Sequence, residues 1–126
     1  ESLYDRLKQR LKQEESWEAN SMYLKLIAEA EDLDEMMEYV KENPEEIEEY
    51  AGRLTGKFEN EINAIYCDQI RQTARRATNR SNYKKVCYML RKYAKIAGRD
   101  NQTALINELR ELHRKRPAFM DELDQI

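Results

Sequence analysis

Apolar residues recur every three or four positions along most of this chain, and charged residues fill the positions between them. This spacing places the apolar side chains on one face of an α-helix, as in helices that pack against a core. Alternating runs of β-branched residues, which would indicate strands, are missing. The pattern therefore predicts an all-α chain of about eight helices joined by short loops.

Each predicted helix carries its own apolar stripe, and capping residues or prolines mark where it begins. Glu35 follows Asp32 at capping-box spacing. Gly98 stands where a helix would end, and Gly52 and Gly56 weaken another helix, so we place a break near Gly56. The predicted caps or first residues are Ser16, Asp32, Asn43 with Pro44, Ser81, Asp100 or Asn101, and Pro117.

The stripes themselves name the candidate core. In chain order they are Leu3, Leu7 and Leu11; Trp17, Asn20, Tyr23, Leu24, Ile27 and Ala28; Leu33, Met36, Met37 and Val40; Ile47, Tyr50, Ala51 and Leu54; Phe58, Ile62, Ile65, Tyr66, Ile70 and Ala74; Tyr83, Val86, Cys87, Leu90, Tyr93, Ala94 and Ala97; Leu105, Leu109 and Leu112; Phe119, Met120 and Leu123.

Short loops make consecutive helices antiparallel neighbours. Helix pairs beginning near Ser16, Asn43 and Ser81 are spaced too unevenly for a regular tetratricopeptide array, whose period is about 34 residues. We predict an irregular right-handed α-hairpin solenoid, a tetratricopeptide-like stack of antiparallel helices, rather than a closed four-helix bundle. Residues 1–126 are expected to form a single domain, and the start at Glu1 rather than Met suggests a fragment of a longer chain.

Composition bears on where in the cell the protein is expected. Charged residues make up 37% of the chain, and no apolar run approaches the roughly 18 residues of a membrane span. We therefore predict no membrane association. The two cysteines, Cys67 and Cys87, do not make a disulfide framework and suit a reducing compartment, so we predict a cytoplasmic protein.

Charge is distributed very unevenly. Between Glu29 and Glu49 the only basic residue is Lys41, whereas between Arg71 and Arg99 there is no acidic residue at all. A basic stretch of this kind can contact nucleic-acid phosphates or an acidic partner. The candidate interaction surface is Arg71, Arg75, Arg76, Arg80, Lys84, Lys85, Tyr88, Arg91, Lys92 and Lys95.

A second interpretation of the same pattern is structural. The acidic and basic segments could complement one another across neighbouring helices, and we prefer this interpretation because the total charge is −3. Tyr83 and Tyr93 fall on the apolar face and are expected in the core. Only Tyr88 lies off that face, where it could stack on a base.

Catalytic and metal motifs are missing. The chain has no P-loop, serine elbow or HExxH sequence, and we predict that it is not an enzyme. Two cysteines twenty positions apart and the single His113 do not give the ligand spacing of a zinc site. We expect His113 to act locally, as a cation at a helix C-terminus.

The C-terminal third resembles a known family. Four elements carry the resemblance: Tyr83, the run 90–98 (LRKYAKIAG), the run 106–110 (INELR) and the run 116–123 (RPAFMDEL). They are similar to the C-terminal helical region of bacterial SWIM zinc-finger proteins. The run 43–54 also suits the helical region of that family. The family's C-x-C-x(n)-C-x-H motif is absent, so no zinc ligand transfers. The resemblance implies no cofactor in this fragment, zinc only in a missing upstream segment, and a nucleic-acid or protein-interaction context.

From these observations the sequence predicts a non-catalytic helical-repeat interaction module. We expect it to bind a protein, and the resemblance places it C-terminal to a zinc finger. The alternative is a nucleic-acid-binding helical domain that uses the basic segment Arg71–Arg99.

Overall fold

A computed structural model describes residues 2–126, and every regular element in that range is helical, which confirms the all-α prediction. Seven α-helices and one 3-10 turn are present there. They are α1 Leu3–Gln13, α2 Trp17–Glu29, α3 Leu33–Glu42, the 3-10 turn Pro44–Glu46, α4 Ile47–Arg76, α5 Arg80–Ala97, α6 Arg99–Leu112 and α7 Pro117–Leu123. None of these helices combines the length and apolar character needed to cross a bilayer.

The chain divides into two compact units. The N-terminal unit ends at Tyr39, and the C-terminal unit comprises Val40–Ile126. Each is described on its own below. The expectation of a single domain over residues 1–126 stays a prediction.

In the N-terminal unit, helices α1 and α2 pack together. Ser16 caps α2 as predicted, because its hydroxyl accepts a hydrogen bond from the Ala19 amide at 3.1 Å. The buried stripe on α2 is Ala19, Tyr23 and Ile27. Trp17 lies two residues before that stripe, on the opposite side of the helix, and is 78% exposed, so its predicted place in the core is wrong.

The apolar stripe on α1 is also shorter than predicted. Leu11 is buried, but Leu3 and Leu7 are exposed. A network of polar side chains holds α1 instead. It joins two carboxylates at the start of α3, Asp32 and Glu35, to Tyr4, Lys8 and Lys12 of α1 and to Tyr23 of α2.

Asp32 and Glu35 are the acceptors of this network. Asp32 caps α3 through the Glu35 amide at 3.2 Å and also accepts from the Tyr4 hydroxyl at 2.6 Å and from Lys8 at 3.1 Å. The Glu35 side chain does not close the predicted capping box. Its carboxylate lies 2.9 Å from Lys12 and 3.4 Å from Lys8 and accepts from the Tyr23 hydroxyl, so it ties α3 to two other helices.

The network changes the acidity of its members. Burial alone would raise the pKa of Asp32 and Glu35, but hydrogen bonds from the tyrosine hydroxyls and the lysines outweigh it and hold both carboxyl pKa values below their usual range. Burial and the hydrogen bond to Asp32 raise the pKa of Tyr4 to about 12. Both carboxylates are therefore ionised, and Tyr4 is protonated, at neutral pH.

We predict that Glu35→Gln costs stability at neutral pH and costs progressively less as the solution is acidified. A carboxyl whose pKa is lowered by folding stabilises the folded state above its unfolded pKa of about 4, and this contribution disappears as the pH falls through the folded value. Thermal unfolding of both forms, followed by circular dichroism from about pH 6 towards pH 2, should show the gap in Tm closing. A constant gap would contradict a stabilising role for this carboxylate.

In the C-terminal unit, the range of α4 spans two helical segments that meet at a kink. Asn43 makes no side-chain capping hydrogen bond, and Pro44 opens a 3-10 turn instead of the helix itself. The helix continues past Gly56 and kinks at Phe58, whose backbone leaves the helical region at φ −124° and ψ 41°. The predicted break near Gly56 is thus found two residues later, as a kink that divides α4 into two helical segments.

Helix α5 lies at the centre of the C-terminal unit, where it contacts α4, α6 and α7. Its buried residues are Tyr83, Val86, Cys87, Leu90 and Tyr93, all of which belong to the predicted stripe. The helix begins two residues earlier than expected, because Asn79 rather than Ser81 is the cap. The Asn79 side chain accepts from the Asn82 amide at 2.9 Å.

Gly98 joins α5 directly to α6. Its backbone has φ 93° and ψ 164°, a combination that is essentially restricted to glycine, and it serves as the last cap of one helix and the first of the next. Glycine was predicted to end α5 here. Helix α6 resumes at Arg99, one or two residues before the predicted restart.

Helix α7 closes one end of the C-terminal unit. The Phe119 ring is fully buried and stacks on Tyr83, with ring centroids 4.8 Å apart. Just before the helix, the Arg116 guanidinium donates to the carbonyl oxygens of Ala74, at 3.2 Å, and Ala77, at 2.9 Å. These bonds bring a side-chain donor to carbonyl groups at the end of α4, and the Ala74 carbonyl also accepts from the Ala77 amide at 3.3 Å.

Two expectations near this end are wrong. Leu112, assigned to the apolar stripe of α6, is 65% exposed because it lies in the last turn, beyond the packed residues Leu105 and Leu109. His113 does not act as a cation at the helix end. Burial, together with the nearby Arg116 and Arg75, lowers its pKa below the usual range, so the ring is neutral at physiological pH.

We predict that Phe119→Ala destabilises the chain by about 3–5 kcal/mol, since it leaves a cavity against Tyr83. Leu112→Ala is the matched control, because an exposed side chain on an adjacent segment should change the free energy of unfolding by no more than about 0.5 kcal/mol. Urea denaturation measures both. Equal losses in the two variants would contradict the packing described for α7.

Candidate functional site

The ten residues of the sequence-predicted surface all lie in the C-terminal unit. Arg71, Arg75 and Arg76 occupy the last turns of α4, and the other seven lie on α5. The apolar stripe of α5 faces the core, so the basic positions between its members face away from it. The structure then separates these ten residues into two groups with different partners.

Arg71 belongs to the first group, which forms ion pairs inside the unit. Its guanidinium makes a two-pronged contact with the Glu108 carboxylate on α6, at 2.6 and 3.0 Å, and a third bond to Asp68 at 2.9 Å. These hydrogen bonds lower the pKa of Glu108. Arg71 therefore links α4 to α6.

Arg80 and Lys92 are also paired. Arg80 lies 2.8 Å from Asp121 and 3.5 Å from the buried carboxylate of Glu122, and it fixes α7 to the start of α5. Lys92 lies 3.6 Å from Glu48, at the start of α4. Among residues 2–126, only this last pair of the ten residues joins the predicted acidic and basic segments.

The second group is exposed. Within residues 2–126, no carboxylate lies within 4.0 Å of a basic group of this set. Tyr88 lies among these residues, is 48% exposed, and has the Lys92 ammonium 5.2 Å from its ring centre. The set, which we call the basic face, consists of Arg75, Arg76, Lys84, Lys85, Tyr88, Arg91 and Lys95.

Two open grooves flank the basic face. The α4–α5 groove has a volume of about 230 Å³ and is lined by Thr73, Arg76, Ala77, Asn82 and Lys85. The α5–α6 groove has a volume of about 460 Å³, and its polar lining is Arg91, Arg99, Gln102 and Thr103. Each groove thus has two basic side chains and at least one uncharged polar group in its wall.

Hydrogen bonds fix the amide side chains of these grooves. Asn82 accepts from the Thr78 amide at 3.4 Å, which shapes the turn between α4 and α5. Gln102 is buried and donates to the Leu90 carbonyl oxygen at 3.1 Å. Among residues 2–126, the arginines and lysines beside them have no comparable hydrogen bond.

The two cysteines and the possible metal ligands are the residues that nucleophilic or metal chemistry would use. Burial raises the pKa of Cys87 to about 11, so the thiol is protonated at neutral pH. The Cys67 sulfur lies 3.1 Å from the Tyr93 hydroxyl and is also part of the packing. In the part of the chain that the structure describes, no three His, Cys, Asp or Glu side chains form a group that could hold a metal ion.

Sequence reasoning named the ten-residue surface but did not show which of its members are paired with carboxylates, nor the grooves beside the basic face. Nothing in the local pattern distinguishes Arg71, which is paired with a residue 37 positions away, from Arg75, which is not. No sequence pattern marks the polar groove residues Thr73, Asn82, Gln102 and Thr103. They line grooves only because α4, α5 and α6 pack together.

Comparison with known proteins adds no relative: neither the family models, nor the curated proteins, nor the solved structures contain a match to this chain.

We predict that Arg71→Gln lowers the free energy of unfolding by about 1 kcal/mol, because a partly exposed two-pronged ion pair is lost. Arg91→Gln, on the basic face, should change it by no more than about 0.5 kcal/mol. Chemical denaturation of the two variants separates the groups. An Arg91→Gln variant as unstable as Arg71→Gln would show that the basic face also serves packing.

Proposed function

We propose that this chain is a non-catalytic binding module that holds nucleic acid on the basic face. The supporting observation is the division of the basic residues: Arg71, Arg80 and Lys92 are paired with carboxylates, while six others project from adjacent helix surfaces without such partners. Exposed cations grouped in this way bind polyanions, because contact with phosphates releases the counterions condensed around a nucleic acid.

The charge of the C-terminal unit agrees with this function. It has 17 Lys and Arg residues against 14 Asp and Glu residues, a net charge of +3, although the whole chain is acidic. The paired acids of this unit lie on α4, α6 and α7, and Glu48 reaches the outer side of α5, where it pairs with Lys92 in a groove that three further glutamates line. A polyanion that approaches the basic face, beside this pair, meets a locally positive surface.

We also propose that the helices of this unit belong to an α-hairpin stack. Contacts between α4 and α6 and between α5 and α7, each two helices apart, support a two-layer arrangement. Its right-handed sense and its tetratricopeptide-like character remain predictions. The same holds for the resemblance to SWIM zinc-finger proteins, which would place this module beside another nucleic-acid or protein contact.

A salt titration tests this function. We expect a labelled oligonucleotide of about 20 nucleotides to bind at low salt, and the affinity to fall roughly 100-fold or more between about 50 and 200 mM salt, since about six cations can meet phosphates. Arg91→Glu with Lys95→Glu should weaken binding about 10-fold or more. Fluorescence anisotropy measures both effects.

The matched control carries the same change of charge elsewhere. Arg6→Glu with Arg10→Glu alters two exposed positions on α1 and should leave the affinity within about twofold of the parent chain. Absence of binding at low salt, or binding without a salt dependence, would overturn the proposal. Equal competition by polyglutamate would also overturn it, in favour of the protein partner expected from the sequence, with an acidic surface.

A further inference from the structure

Tyr88 occupies a defined position between the two basic grooves. Lys85, Tyr88 and Arg91 are spaced three residues apart on α5, so their side chains are neighbours along a diagonal of the helix surface, with about 5–6 Å between successive Cβ atoms. All three are exposed. They form one continuous ridge across the outer face of the helix.

Each end of this ridge opens into a groove. Lys85 lines the α4–α5 groove, where Arg76 supplies a second cation. Arg91 lines the α5–α6 groove, where Arg99 does the same. The diagonal therefore runs from one pair of cations to another and passes over a half-exposed aromatic ring midway.

This order of groups matches the chemistry of an unpaired strand. Its phosphates are spaced along a flexible backbone that cations can follow, and its bases present flat faces to aromatic side chains. The Lys92 ammonium also lies beside the Tyr88 ring, but its charge is already compensated by Glu48, so the cations available to the phosphates are those of the two grooves. In a duplex, by contrast, the base faces are stacked on one another and are closed to Tyr88.

We propose that single-stranded nucleic acid crosses α5 along this diagonal, with phosphates at the two grooves and a base stacked on Tyr88. The inference rests on the proposed function and adds the strandedness of the ligand and the residue that recognises it. An acidic peptide would use the four cations but would gain little from a flat aromatic ring between them.

Tyr88→Leu and Tyr88→Phe make the matched pair that tests this inference. Both keep an apolar side chain at a half-exposed position, so neither should alter folding, which circular dichroism can verify. Against a labelled single strand of about 15 nucleotides, Tyr88→Leu should lose about 5- to 150-fold in affinity, whereas Tyr88→Phe should stay within about twofold of the parent. The same sequence as a duplex should bind more weakly than the single strand to the parent chain.

The outcomes separate the two proposals. Binding of both forms of DNA with equal affinity, or tighter binding of the duplex, would overturn the single-strand inference while leaving nucleic-acid binding intact. Equal affinities of the Leu and Phe variants for the single strand would likewise overturn the stacking role. Absence of any binding at low salt would overturn the proposed function itself.

Discussion

Burial of one face of α5 is the interaction on which the C-terminal unit depends. Five buried side chains on this helix face α4, α6 and α7, so the same eighteen-residue segment holds three neighbours. Because the inner positions are fixed by packing, the outer positions are fixed as well, at the 3.6-residue period of the helix. The basic face is rigidly presented for this reason, without a loop of its own.

The N-terminal unit is held together differently. Its first helix has one buried leucine, Leu11, and relies on Tyr4, Lys8 and Lys12 to reach the carboxylates of Asp32 and Glu35. Such a network depends on ionisation, whereas the packing around α5 does not. The C-terminal unit also has ion pairs, such as that between Arg71 and Glu108, but its core is packed around α5, so we expect the N-terminal unit to be the more sensitive to acid.

Periodicity was sufficient to predict the helical class and most of the core. It placed Tyr83, Val86 and Leu90 correctly, because a stripe in the middle of a long helix is fixed by its period. It failed at helix ends, where Trp17 and Leu112 continue a stripe beyond the point at which a neighbour covers it. The cap of α5 was predicted wrongly because Ser81 lies two residues after Asn79, and both are capping residue types.

The sequence predicted which residues form the candidate site, but not how they are paired or which grooves they line. A run without acidic residues predicted a basic surface. Whether an arginine of this run forms an ion pair depends on residues distant in the sequence, such as Glu108 and Asp121, which no local pattern connects to it. The grooves arise from three helices at once, so their lining has no sequence signature. The sequence showed that Tyr88 is off the apolar face. That it lies between two basic grooves, which Lys85 and Arg91 line, could be seen only in the structure.

The central claim is that one helix supports the core with its inner face and binds nucleic acid with its outer face. Titration of the ¹⁵N-labelled chain with a single-stranded oligonucleotide, followed by ¹H–¹⁵N correlation spectra, tests this most directly. We expect the shifts to concentrate on amides between Asn82 and Arg99 and on the last turn of α4. Shifts confined to residues 2–39, or spectra that do not change at low salt, would contradict the account.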